Sequence, residues 1–462
     1  MRGRRWATLT AAALCLLVLT GCSVVVTGLA SPARPPATDV ATGDVEVVGA
    51  TDDQVDVLAR NALADLETFW AGQFPDVFGT EFQPLQGGYF SVDPGNADPA
   101  AYPRGIGCGA AASDVESNAF YCTAPDAPNS DSISYDRSFL TDLGEEFGRF
   151  IPALVMAHEF GHAVQARVGA PSASIAVETQ ADCFAGTWTR WVAEGEAEHS
   201  ILRTPELDEL LRGYLQLRDP VGTSPREQQA HGSYFDRVAA FQEGFDDGAE
   251  ACRDNFGPDR RFTQQPFTTD REVASGGNAA PDELLQIIGD SLPTAWGQAF
   301  DDVFEERFDP PSIEAFDGDA PGCAPDGDLD LVYCADENLV GFDQRDLAAP
   351  AYEDLGDFAV ATAVALPYGL AVRDQLGLST DDEDAVRSAV CLSGWYAAQF
   401  YAGQVGGEIS ISPGDVDEGV QFLLAFGNEP SVVPDADLTG FQLVDLFRNG
   451  FVEGLDACGL DV

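Results

Sequence analysis

Val155-Met156-Ala157-His158-Glu159-Phe160-Gly161-His162-Ala163-Val164-Gln165 is the stretch from which the rest of the chain is read. On an α-helix His158 and His162 stand four residues apart, so both imidazoles leave one face a turn apart and can grip a single Zn²⁺. Glu159 then lies beside the water that such an ion activates. The chain holds only four histidines, so this spacing is a rare accident.

A zinc hydrolase needs a third protein ligand and an open fourth position. A further Gly and His at 165 and 168 would supply one, but Gln165 and Val168 occupy those places. Instead Gly169-Ala170-Pro171 breaks the helix, and Ser172 or Ser174 can cap a second one carrying Val177-Glu178-Thr179-Gln180-Ala181-Asp182-Cys183. The two helices run antiparallel from that turn, with His162 and Glu178 at similar distances on either side, so Glu178 is the expected third ligand. Asp182, one turn on, is placed to accept the second N–H of a ligand histidine. In so acidic a chain, a solvated helix face is the competing reading of both carboxylates.

The N-terminus reads as an export signal. Met1-Arg2-Gly3-Arg4-Arg5 precedes an apolar run from Trp6 to Leu19 that is too short for a stable membrane span. Leu19-Thr20-Gly21-Cys22 resembles the bacterial lipobox, which implies lipidation of Cys22; an ordinary signal peptide and a twin-arginine route are the alternatives. Residues 1–21 are thus a lipoprotein signal peptide and 22–50 a tether. The net charge is −53 and every basic residue is arginine, which argues against nucleic acid and anionic head groups and for a self-repelling exterior.

The chain also repeats itself. Thr68-Phe69-Trp70 with Asp76-Val77-Phe78 returns as Thr294-Ala295-Trp296 with Asp302-Val303-Phe304, at an offset of 226. Gly161 and Cys183 return as Gly369 and Cys391 at 208, and Phe241 through Cys252 returns as Phe447 through Cys458 at 206. The falling offset is that of a tandem duplication with trimmed loops. At 208, His158, Glu159, His162, Glu178 and Asp182 become Leu366, Pro367, Leu370, Val386 and Val390, and the second copy contains no histidine. It is therefore read as degenerate, without a metal site. Gly161 and Gly369 persist in both copies and are assigned to close helix packing.

Apart from Cys15 and Cys22, eight cysteines remain, an even number that suits an exported chain. Cys183 persists as Cys391 where every ligand has gone, so a structural role is favoured. The pairing that treats both copies alike is Cys108 with Cys122, Cys183 with Cys252, Cys323 with Cys334, and Cys391 with Cys458.

With these residues assembled, the first copy resembles the bacterial neutral zinc metallopeptidases, through His158 to Gln165, Glu178 to Gly186 with Trp188, His231-Gly232-Ser233 with Arg237, and Gly244 to Cys252. The resemblance covers roughly residues 50 to 255. It implies a zincin-type fold and zinc-dependent peptide hydrolysis. The expected architecture is α+β: two tandem zincin-like domains, predominantly helical and disulfide-stabilised, at 51–255 and 281–462, joined by a linker at 256–280. Zn²⁺ is held by His158, His162 and Glu178, and Glu159 is the general base. His231 is either an oxyanion donor or an ordinary loop histidine. His199 is read as a solvated surface residue. An edge strand within Phe120 to Asp136 could hold a peptide or protein substrate by main-chain pairing. The expected location is extracytoplasmic, on the cell membrane through the lipid anchor. The rival reading is a non-catalytic envelope scaffold built on the same fold.

Overall fold

The computed structural model describes residues 42–460, apart from 325–328, 407–410 and 434–436. Cys22 and the signal stretch lie outside the described residues. In the first half the elements are β1 (Val47–Val48), α1 (Gln54–Phe78), β2 (Gly88–Val92), β3 (Ala119–Cys122), β4 (Ser132–Asp136), α2 (Arg137–Phe147), α3 (Ile151–Val168), α4 (Ser174–Ala193), α5 (Thr204–Leu217) and α6 (Tyr234–Asp254). The strands form one sheet in the order β1-β2-β4-β3, in which β1, β2 and β4 are parallel and β3 runs antiparallel along the edge. Val47 is buried and pairs with Tyr89, so the folded domain starts before residue 51 and takes in the end of the expected tether.

Local sequence explains the element ends. Gly79, in the left-handed region, closes α1, and Asp136 opens α2 by accepting the N–H groups of Ser138 and Phe139. Helices α3 and α4 fold back on each other across residues 169–173, and a Cβ on Gly161 would lie 2.9 Å from Ala181 Cα. Helices α4 and α6 approach closer still: a Cβ on Gly186 would sit 2.0 Å from Phe241 O, and one on Gly244 1.8 Å from Cys183 O. The Cys183–Cys252 disulfide fastens the same pair.

The second half comprises α7 (Asp270–Ser275), α8 (Pro281–Ala299), β5 (Ser312–Phe316), β6 (Leu331–Cys334), β7 (Leu339–Asp343), α9 (Ala349–Asp354), α10 (Asp357–Gln375), α11 (Glu383–Tyr401), α12 (Asp415–Phe426) and α13 (Gly440–Glu453). Its sheet has the order β5-β7-β6, with β5 and β7 parallel and β6 an antiparallel edge, which is the arrangement of β2, β4 and β3. Gly369 packs on Ala389 as Gly161 does on Ala181. Gly394 and Gly450 bring α11 and α13 together as Gly186 and Gly244 do for α4 and α6. Disulfides join Cys108–Cys122, Cys183–Cys252, Cys323–Cys334 and Cys391–Cys458, the pairing expected from sequence.

The halves meet through a reciprocal exchange of helix caps. Asp208 on α5 accepts the N–H groups of Gly440 and Phe441 at the start of α13, at 2.9 and 2.7 Å. Asp417 on α12 accepts those of Tyr234 and Phe235 at the start of α6, at 3.1 and 2.8 Å. Each carboxylate thus satisfies two free donors of a helix in the other half, the mutual pattern of an isologous interface. Phe235 against Phe447 and Phe451, and Phe441 against Phe241 and Phe245, extend one buried core across the junction. The segment 256–280 is fixed rather than slack: Gln264 is buried, Thr263 N–H donates to Asp236, and Phe262 O accepts the Tyr401 hydroxyl.

Candidate functional site

Helix α3 presents His158, Glu159 and His162 toward α4, and α4 returns Glu178 and Asp182. His158 Nε2 lies 3.3 Å and His162 Nε2 3.5 Å from Glu178 Oε2. One ligand atom from each of the three residues falls within 4.8 Å of the others. The outer nitrogens are already committed. His158 Nδ1 is 2.8 Å from Asp182 Oδ1 and His162 Nδ1 is 2.9 Å from Gln165 Oε1, so each Nδ1–H has its acceptor and each Nε2 is turned to Glu178, where a bound cation would take the place of the Nε2 proton.

The supports of those partners reach further than the motif. Arg237 on α6 donates Nε and Nη2 to Asp182 Oδ2 and Oδ1 at 2.8 and 2.9 Å, and its Nη1 donates to Leu217 O. Gln165 donates to Val177 O and Gln180 Oε1, and Gln180 donates to Cys252 O, which ties the ligand helices to the end of α6. The main-chain N–H of Tyr121, on edge strand β3, donates to Glu159 Oε2 at 2.7 Å. These positioning roles of Arg237, Gln165 and Tyr121 are not evident from the motif. For two of them the repeat held a signal, because Arg237 and Gln165 become Leu443 and Arg373 in the second half.

The electrostatics favour a cation where the three ligand atoms converge. Burial opposes the charged form of His158, yet Asp182 and Glu178 outweigh it and push its pKa up to about 10. Burial likewise opposes ionisation of Glu178, but hydrogen bonds from both imidazoles hold its carboxyl far below the usual range. Burial raises Glu159, against the pull of the two histidines. Asp182, wholly buried, is kept ionised by Arg237 and His158. Two imidazoles and one carboxylate, with both outer nitrogens anchored and a cleft of about 350 Å³ in front, suit Zn²⁺ with an open position.

Tyr121, Leu154, Val155 and His231 also line that cleft. His231 stands at its edge, 46 % exposed, with Nδ1 3.2 Å from Asp219 Oδ1. His199 is half-buried rather than solvated; its main chain is held by Asn61 and Asp65, and it does not line the cleft. In the second half Leu366, Pro367, Leu370, Val386 and Val390 line one cavity of about 540 Å³, with Asp381, Asp382 and Glu383 also on its wall, so the matching positions there form a largely apolar pocket.

Residues 9–172 match the family model described as "Putative neutral zinc metallopeptidase". The uncharacterized protein YpfJ of Escherichia coli K12 is 28 % identical over 242 residues, which is 46 % of this chain and 74 % of YpfJ. The uncharacterized protein Rv2575 of Mycobacterium tuberculosis is 29 % identical over 179 residues, 33 % of this chain and 59 % of that protein. No solved structure matches the chain. The matched stretch contains the paired histidines and Glu159, and through it the N-terminal part of this chain is similar to the putative neutral zinc metallopeptidases.

Proposed function

We propose that the first half is a zinc-dependent peptidase whose ligands are His158, His162 and Glu178. The observation that carries this reading is the convergence of two Nε2 atoms and one Oε2 atom in an open cleft, with Glu159 alongside. Bound there, Zn²⁺ supplies Lewis acidity toward a water molecule and a scissile carbonyl. Glu159 takes the proton of the attacking water and later delivers it to the leaving amine. The Tyr121 N–H holds Oε2 and so aims the carboxylate.

Strand β3 presents the substrate side. Asp136 N–H donates to Asn118 O, which sets the alternation so that the main-chain groups of Ala119 and Tyr121 face away from β4, toward the cleft. An extended peptide can pair along that edge. His231, at the rim of the cleft, is a candidate donor for the developing oxyanion.

We infer a tandem duplication whose second copy lost its site and kept its frame, supported by the shared strand order, disulfides and glycine contacts. The short apolar run before Cys22 and the four disulfides support export with a lipid anchor at Cys22. Among the described residues no helix is long and apolar enough to cross a membrane. The apolar pocket of the second half favours one further reading, in which that half is a binding scaffold beside the peptidase.

Glu159→Gln tests the chemistry. The variant should keep one zinc per chain, lost in His158→Ala, while hydrolysis of a fluorogenic peptide library falls at least about a hundredfold. Full activity in Glu159→Gln removes the general-base role. Absence of zinc from the metal-replete wild type leaves only the scaffold reading.

A further inference from the structure

A second cluster of ligand-type residues lies in the half that lost its histidines. Asp357 opens α10, and Asp415 and Glu418 occupy the first turn of α12; one oxygen of each lies within 4.8 Å of the others. All three residues are buried, at 8, 6 and 7 % exposure. One oxygen of each is satisfied by the main chain: Ala279 N–H donates to Asp357 Oδ2, Ser412 N–H to Asp415 Oδ2 and Phe358 N–H to Glu418 Oε2. Asp357 Oδ1 and Asp415 Oδ1 are enclosed and, among the described residues, have no hydrogen-bond partner. Burial pushes all three carboxyls up, and for Asp415 and Glu418 the neighbouring carboxylates add to it.

The first half shows what is missing. At offsets of 208 and 209, Asp357, Asp415 and Glu418 correspond to Arg149, Glu206 and Glu209. The surroundings correspond as well. A Cβ on Gly148 would meet Glu209 at 2.3 Å, and one on Gly356 would meet Glu418 at 2.2 Å. In the first half the Arg149 guanidinium donates to Glu206 at 2.6 Å and supplies the positive charge. In the second half that arginine is an aspartate. Among the described residues Arg271 is the arginine lining the adjoining cavity, but it is 74 % exposed and paired with Glu283.

We propose that Asp357, Asp415 and Glu418 bind a hard divalent cation of the Ca²⁺ class, which stands where the Arg149 guanidinium stands in the first half. An all-oxygen ligand set suits Ca²⁺ and not the softer Zn²⁺ of the histidine site. The adjoining cavity of about 300 Å³, lined by Asp357 and Asp415, gives room for the waters that complete six to eight oxygens. The ion joins the start of α10 to the start of α12, and α12 carries Asp417, which caps α6 across the junction. Its place is therefore structural: it fastens the second half where that half grips the first.

The test uses the full chain, stripped with chelator and dialysed against Ca²⁺ in about 0.15 M salt, where diffuse binding to the acidic exterior is screened. The wild type should retain one Ca²⁺ per chain and unfold at a higher temperature with about 1 mM Ca²⁺ than without it. Asp357→Arg, which recreates the first-half arrangement, should bind no Ca²⁺ and show no such shift. Asp415→Asn, the milder change should the arginine variant fail to fold, should bind at least about tenfold more weakly. His158→Ala should keep the Ca²⁺. A wild type that retains none, or Ca²⁺ binding unchanged in both Asp357→Arg and Asp415→Asn, overturns the proposal.

Discussion

Replacing Asp182 by Val and Arg237 by Leu, singly and together, tests whether the site rests on one buried ion pair. The second half carries Val390 and Leu443 at these positions, both buried, so the apolar solution already exists on the same frame. Arg237→Leu leaves Asp182, which is inaccessible to solvent, with His158 as its remaining side-chain partner. Asp182→Val leaves the Arg237 guanidinium, 5 % exposed over the Tyr214 ring, with Leu217 O. Removing one member of a buried pair costs about 3–5 kcal/mol, so independent effects would sum to about 6–10 kcal/mol. The double variant removes both charges and should lose only about 1–2 kcal/mol, for the void beside the shorter leucine. The coupling is then at least about 4 kcal/mol, read from urea unfolding of the zinc-stripped chain by tryptophan fluorescence. Arg237→Leu alone should also weaken zinc binding about 10- to 100-fold, because His158 loses its fixed orientation. Additive single effects in the double variant refute the reasoning.

Three further outcomes follow from the packing and the charges. Gly244→Ala should cost about 3 kcal/mol or more, since its Cβ would fall 1.8 Å from Cys183 O, whereas Gly72→Ala, with nothing within 4 Å, should be neutral or stabilising; equal effects in urea unfolding contradict this. Replacing Cys183 and Cys252 together by Ala frees a 69-residue separation and should cost about 4 kcal/mol while sparing zinc; loss of zinc from the folded variant would make the pair part of the site. At the junction, burial and the nearby Asp445, with Asp247 adding and Arg448 opposing, push Asp246 up to about 8. Its folded value lies above an unfolded value of about 3.9, so the stability it contributes is complete below about pH 4 and lost as pH rises through about 8. Denaturation midpoints should thus fall over that window more in the wild type than in Asp246→Asn, and parallel profiles would refute the assignment.

Periodicity and spacing made His158, Glu159 and His162 legible, because two histidines four apart on a helix can only leave one face. Glu178 and Asp182 followed from a single turn of chain, since a short break forces the next helix back along the first. The repeat made the disulfides legible: residues that persist where ligands vanish must serve the frame. Arg237 could not be placed this way. It reaches Asp182 from a helix more than fifty residues later, and only the close α4–α6 contact allowed by Gly186 and Gly244 brings it there. The Tyr121 N–H is a main-chain group, aimed by strand register and invisible to any residue pattern. That Val47 in the expected tether and Gln264 in the expected linker are buried was not legible for a related reason, since their burial depends on chain distant in sequence.

The sequence by itself determined the proposed zinc ligands of the first half and the apolar residues at the matching positions of the second, because both are matters of residue identity at local helical spacing. Tertiary structure decided how the halves join and where charge is left unbalanced. Asp208 and Asp417 read as ordinary acids of a very acidic chain until each is seen capping a helix of the other half. Asp357, Asp415 and Glu418 read as helix-start residues until folding buries them together, and burial is what turns scattered carboxylates into a demand for a cation.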